Sequence, residues 1–136
     1  MNNPGYYSLA DLPITTALTG STQTAIENLE GMLAGTIQAK FAYGSGGTSA
    51  KAYVQTTLDD GLTWVDIASF AFTTTSAMKI INLSGLTPKT TAVTPSDGAL
   101  SDDTCVDGVL GDALRVKLTT TGTYANTTLS VKLIAR

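Results

Sequence analysis

The chain contains no histidine, and that absence limits its chemistry more than any residue it does contain. Histidine is the commonest general base near neutral pH and the usual nitrogen ligand of zinc. Ser–His and Cys–His nucleophilic arrangements and His-built zinc sites therefore have no basis here. Cysteine is scarce as well. Cys105 stands alone, so no internal disulfide can form. A lone cysteine is expected to be a small buried apolar group, although it can also bridge to another chain in an oxidising environment. Glutamate occurs only at Glu27 and Glu30, both on the surface in a strand-and-turn reading, which leaves little for a carboxylate-pair hydrolase. No GxSxG elbow is present. The run Gly44-Ser45-Gly46-Gly47 leads into a strand pattern rather than the helix that a phosphate loop requires.

Charge is the next shortage. Charged residues make up 14% of the 136 residues, against roughly 25% in an average soluble domain. The net charge is −3, the sequence pI about 4.6 and the mean hydropathy +0.15. The eight basic residues are scattered and no aromatic interleaves with them, so the footprint of a nucleic-acid binder is missing. No apolar run approaches the roughly 20 residues of a membrane span, and Met1-Asn2-Asn3-Pro4-Gly5 lacks the basic and apolar regions of a signal peptide. The expectation is a protein made in a cytoplasm, soluble, with no membrane partner. A surface with so few repulsive charges tends to associate, which predicts a homo-oligomer.

What is present is β-rich. The hydrophobic fraction is 43%, enough for one well-filled core in a chain of this length. Residues 1–21 read as an irregular N-terminal arm punctuated by Pro4, Gly5 and Pro13, with Tyr6, Tyr7, Leu9 and Leu12 as candidate contact residues. Residues 22–136 read as a single β-sandwich domain. Within 22–34 the signals conflict. Thr24 and Glu27 suit a capping box and Ile26, Leu29 and Leu33 lie at helical spacing, but Gly31 interrupts and a strand follows directly. A strand at Thr24–Leu29 with a turn at Glu30–Gly31 is preferred.

From residue 36 the period is two. Ile37, Ala39, Phe41 and Tyr43 share one face opposite Gln38 and Lys40. Further strands are predicted at Lys51–Thr56, Trp64–Phe72 and Ala77–Leu83. Near the end, Leu114, Val116 and Leu118 alternate with polar residues, as do Leu129, Val131 and Leu133, and a hairpin through Gly122–Asn126 is predicted. Six to eight short strands imply an all-β antiparallel sandwich of jelly-roll type.

The stretch 84–112 reads as one long loop with a short strand at Thr90–Thr94, and a loop of this length is expected to make contacts. It carries Asp97, Asp102, Asp103, Asp107 and Asp112. Clustered Asp with Gly can ligate calcium, and Asp97, Asp102, Asp103 and Asp107 are the candidate ligands. No EF-hand spacing or bidentate Glu accompanies them, and Asp and Gly also dominate turns for backbone reasons. No other cofactor is implied.

One local motif stands out, Thr57-Leu58-Asp59-Asp60-Gly61-Leu62-Thr63-Trp64. It resembles the Asp-box of sialidase-type propellers and other β proteins, through Thr57, Asp59, Gly61, Thr63 and Trp64. Asp59 can accept turn amides, Gly61 can take a positive φ, and Trp64 is expected to pack beneath the hairpin. The motif is structural where it occurs, and a propeller would need one unit per blade. Trp64 and the tyrosines Tyr43, Tyr53 and Tyr124 are the alternative, as platforms for sugar stacking.

The stretch Phe41-Ala-Tyr-Gly-Ser-Gly-Gly47, the box Thr57–Trp64, the Asn82-Leu-Ser-Gly-Leu-Thr-Pro88 turn and the ending from Leu110-Gly-Asp-Ala-Leu-Arg-Val116 to Arg136 together resemble small virion proteins of tailed bacteriophages and gene-transfer particles. The resemblance spans residues 35–136 as a pattern and carries over no binding residue. It implies a non-enzymatic cement or decoration protein on the outer capsid surface, commonly a trimer, made in the host bacterial cytoplasm and partnered by the major capsid protein. A neck, tail or baseplate subunit and a carbohydrate-binding module for host recognition are the alternatives.

Overall fold

The computed structural model describes residues 2–136, and among them the chain is all-β, with ten strands and no helix. The strands are β1 (Gly5–Ile14), β2 (Ser21–Thr22), β3 (Ala34–Ala42), β4 (Ser45–Gly46), β5 (Ser49–Thr57), β6 (Trp64–Phe72), β7 (Ala77–Ser84), β8 (Leu114–Thr121), β9 (Tyr124–Ala125) and β10 (Thr127–Ala135). Two four-stranded sheets run in the orders β1-β10-β3-β7 and β2-β8-β5-β6, with β4 and β9 forming a small third ladder. All pairings are antiparallel: β1 with β10, β2 with β8, β3 with β7 and β5 with β6. These four pairs nest from the chain ends to the middle. Such nesting describes one long antiparallel ribbon, bent at β5–β6 and rolled up, which is a jelly roll. Pairing of β10 with β3 and of β8 with β5 completes the two sheets.

The core lies between the sheets and follows the two-residue period. Ile37, Ala39, Phe41, Leu129, Val131 and Leu133 face inward from one sheet, and Ala52, Val54, Phe70, Val116 and Leu118 from the other. Phe41 anchors one end, stacked on Phe72 with ring centroids 5.0 Å apart and meeting the edge of Tyr124 at 5.6 Å.

Several expectations change. Gly5–Ile14 is not an irregular arm but a full strand paired along β10. The apolar residues there lacked a clean period because the register shifts between Ser8 and Ala10, a bulge that puts Leu9 and Ala10 both in the core. The predicted hairpin of β8 and β10 does not form, although both strands exist. They belong to different sheets, and the Gly122–Asn126 link crosses between them, with Tyr124 and Ala125 pairing to Gly46 and Ser45. In 22–34 the preferred strand Thr24–Leu29 is not formed: β2 ends at Thr22 and only a single bridge joins Ile26 to Leu114, while the turn at Glu30–Gly31 is present. Thr90–Thr94 is not a strand. Cys105 is exposed rather than buried.

The loop after β7 explains its own length. It runs along the outer edge of β6, where the Asp66 amide donates to Ser96 O (2.8 Å), the Ser69 amide to Thr104 O (2.9 Å) and the Val106 amide to Ile67 O (2.8 Å). It thereby supplies the hydrogen bonds that a further strand beside β6 would have made.

Candidate functional site

The most strongly patterned surface lies at the β5–β6 end. The turn Leu58–Thr63 joins two strands held in register to Thr57 opposite Trp64. Asp60 and Gly61 both adopt positive φ, at 59° and 88°. Thr57 Oγ1 donates to Asp59 Oδ1 (3.1 Å) and accepts from the Gly61 amide (2.8 Å), and Asp59 Oδ1 accepts the Thr63 amide (2.7 Å). The Asp59 carboxyl is held below the usual carboxylate range, first by its hydrogen bonds to Thr63 and then to Thr57. These side chains are consumed in holding the turn, which thrusts two leucines into solvent: Leu58 is 70% and Leu62 87% exposed.

Trp64 is half-buried rather than fully in the core, with the Arg115 guanidinium 4.4 Å above its ring centroid. It borders two concavities. A small one, about 90 Å³, is lined by Glu27, Asp60, Asp112 and Trp64 among others. A shallower cleft of about 420 Å³ on its other side includes Leu62, Pro95, Asp97 and Arg115. Beside them an apolar cavity of about 180 Å³ lies between Leu58, Val65, Val93, Leu100, Val106 and Val109. Of the tyrosines considered as sugar platforms, Tyr53 and Tyr124 are buried and offer no face to a ligand, whereas Tyr43 is half-buried.

Beneath this end sits a polar network that the motif reading missed. Asp66, buried on β6, accepts the side chains of Gln55 (2.9 Å) and Ser96 (2.8 Å) and the amides of Gly98 (2.9 Å), Ala99 (2.9 Å) and Leu100 (3.1 Å). Burial alone would raise the Asp66 carboxyl, but the Gly98 and Ala99 amides, with Gln55 and Ser96, outweigh it and hold the group below the ordinary carboxylate range. Gln55 extends the network, donating also to Asp97 Oδ1 (2.6 Å) and accepting from Arg115 Nε (2.9 Å). The one available sign was a charged residue inside the largely apolar strand Trp64–Phe72, where the only other polar side chain is Ser69.

The structure does not gather the candidate calcium ligands. Asp97 pairs with Lys117 (2.9 Å), Asp102 with Lys51 (3.0 Å) and Asp103 with Lys79 (2.8 Å). Asp107 accepts the Ser84 amide (2.6 Å) and the Thr87 hydroxyl (2.9 Å). Each carboxylate ties a separate point of the loop to the sandwich, and among the described residues no three acidic, His or Cys side chains group as a metal site.

Of the contact residues assigned to the N-terminal segment, Leu9 is buried, Tyr7 and Leu12 pack against the core, and Tyr6 alone is exposed. Comparison with protein-family models, curated proteins and solved structures finds no match to this chain.

Proposed function

We propose that the chain is a non-enzymatic structural subunit of a tailed phage or phage-like particle, a decoration or cement protein seated on the outer capsid surface. In this reading it contacts the major capsid protein and copies of itself, with a trimer the favoured assembly, and has no nucleic-acid or membrane partner. The observation that carries the reading is the β5–β6 end. Leu58 and Leu62 project from a turn whose Thr57 and Asp59 side chains are already engaged, next to the apolar cavity that Val93 and Leu100 help line. Two exposed leucines on a turn held by its own hydrogen bonds suit burial against another protein better than they suit chemistry. Asp66, Asp97, Asp102, Asp103 and Asp107 are committed to structural partners, which leaves them poorly placed to act as acids or bases.

Particles purified from cells expressing the chain are expected to retain it through density-gradient sedimentation and to lose heat resistance when it is deleted. Leu58→Asp with Leu62→Asp is expected to reduce particle retention at least about tenfold while changing the stability of the free protein by under about 0.5 kcal/mol. Particles of unchanged stability that never carry the chain would overturn the proposal.

A neck, tail or baseplate position fits the same surface, and cryo-electron microscopy of the particles distinguishes these sites. A carbohydrate-binding reading is favoured by Trp64, a half-buried ring between two concavities. It expects glycan-array binding that Trp64→Ala abolishes.

A further inference from the structure

The edge of a β-sheet presents a row of unpaired N–H and C=O groups, and proteins ordinarily blunt or cover such rows. Among the described residues the two large sheets have four edge strands: β1, β7, β2 and β6. Strand β1 is interrupted by its bulge and by Pro13, with Asp11 exposed beside them. Strand β2 is two residues long. Strand β6 is covered by the long loop. Strand β7 has no such protection over most of its length.

The hydrogen bonds set the phase of that edge. The Ser84 amide donates to Asp107 Oδ1 and its carbonyl accepts from the Gly108 amide (3.0 Å), both away from β3. Opposite it, Ala34 exchanges its two main-chain bonds with Arg136 (3.1 and 2.9 Å) rather than with β7. The pair Ala34·Ser84 is therefore of the non-hydrogen-bonded kind. The register runs unbroken from there to Phe41·Ala77, so the main-chain groups of Asn82, Ile80 and Met78 also point outward. Among the described residues these three amides and carbonyls meet no other element. Their side chains are exposed, Met78 by 55% and Ile80 by 60%. The one charge in the strand, Lys79, is turned away and held by Ala71 O and Asp103.

We infer that this edge docks a second copy of the same chain, the two β7 strands pairing antiparallel about a two-fold axis at Ile80. What the edge offers is extended main chain, so its occupant is a strand, and the open run is self-complementary. Met78 would face Asn82 of the second copy, Ile80 its own counterpart, and Asn82 the second Met78. All three are hydrogen-bonding positions, so each pairing exchanges two bonds and none is left over. The apolar Ile80 pair forms the centre. Charge does not oppose the contact. Lys40, beside Met78 on β3, would lie three strand spacings and four residue steps from its counterpart, about 20 Å, well beyond the screening length of roughly 8 Å. The two β1-β10-β3-β7 sheets would become one continuous eight-stranded sheet. The contact is short, so the pairing is weak and depends on concentration. It does not rest on the virion reading and holds for the free protein.

Sedimentation velocity over a concentration series tests it on the full-length chain. A concentration-dependent dimer is expected. Ile80→Pro removes an N–H that no bond within the chain uses, so the melting temperature should hold while the dissociation constant rises at least about tenfold. Ile80→Lys, which sets two like charges across the axis, is expected to do the same without changing the backbone. In a Cys105→Ser background, Ile80→Cys should give a disulfide dimer on mild oxidation and Thr36→Cys, one strand inward, should not. A chain monomeric at every concentration, or a dimer indifferent to both Ile80→Pro and Ile80→Lys, would refute the pairing. So would a chain that stays monomeric and accepts only a strand from another protein.

Discussion

At Asp66 five donors converge on one buried carboxylate, three of them consecutive amides of the loop that covers β6. A charge buried in this way is tolerable because three donors are successive amides of one loop and Gln55 is itself held by Asp97 and Arg115, so little further entropy is lost in orienting them. Asp66→Asn would set an NH₂ against amides that need an acceptor, and is expected to cost about 2–4 kcal/mol in denaturant unfolding. The pH dependence follows from the same geometry. The folded carboxyl binds its proton at lower pH than in the unfolded chain, where the ordinary value is about 3.9. Between those two values the unfolded state holds more protons. The stabilisation is therefore complete above the unfolded value and is lost as acid carries the pH down through the folded one. Asp97, Asp103 and Asp107 are shifted in the same direction by Lys117, Lys79 and the Ser84 amide respectively. Stability is thus expected to stay level from neutral pH to about 5 and to fall below about 4, with a shallower fall in Asp66→Asn.

At the level of elements, β1 is the instructive case. A detachable arm would tolerate removal, but Leu9 and Ile14 are buried in the core and β1 pairs with β10 along its whole length. Deleting residues 1–14 is therefore expected to abolish cooperative unfolding and expose dye-binding apolar surface, rather than to trim a contact. Unaltered thermal unfolding of the truncated chain would restore the arm reading. The long loop, expected from its length to make contacts, makes them within the chain: Ser96, Thr104 and Val106 bond to β6, and Gly111 passes so close to the Thr57 carbonyl that a Cβ there would overlap it. Exposure is continuous from Gly85 to Pro95 and again from Ser101 to Cys105.

For the molecule as a whole, the rolled ribbon pairs the first long strand with the last. Contacts of such high sequence separation require large loops to close before any stabilisation is gained, and this slows folding. Stopped-flow refolding is expected on the millisecond-to-second scale, slower than for a helical domain of this size. A microsecond phase carrying the full amplitude would contradict the nested topology. The same roll leaves β7 at a sheet edge while the loop protects β6, so the open surface of the molecule is a property of the whole winding rather than of either strand.

The sequence by itself determined the class of fold and most strand positions. Alternation at Ile37–Phe41, Leu114–Leu118 and Leu129–Leu133 can be satisfied only by strands with one buried face, and the Asp-box turn is specified by residues within eight positions of one another. It also removed histidine chemistry and intrachain disulfides by simple absence. Pairing was decided only in three dimensions. Nothing local to β8 and β10 distinguishes neighbours in one sheet from strands that face each other across a core, since both need the same alternation. The bulge at Leu9, the commitment of Asp66 to a loop some thirty residues away and the open amides of β7 are long-range facts of the same kind. Each depends on which segment arrives beside a residue, and that is settled by how the whole ribbon packs.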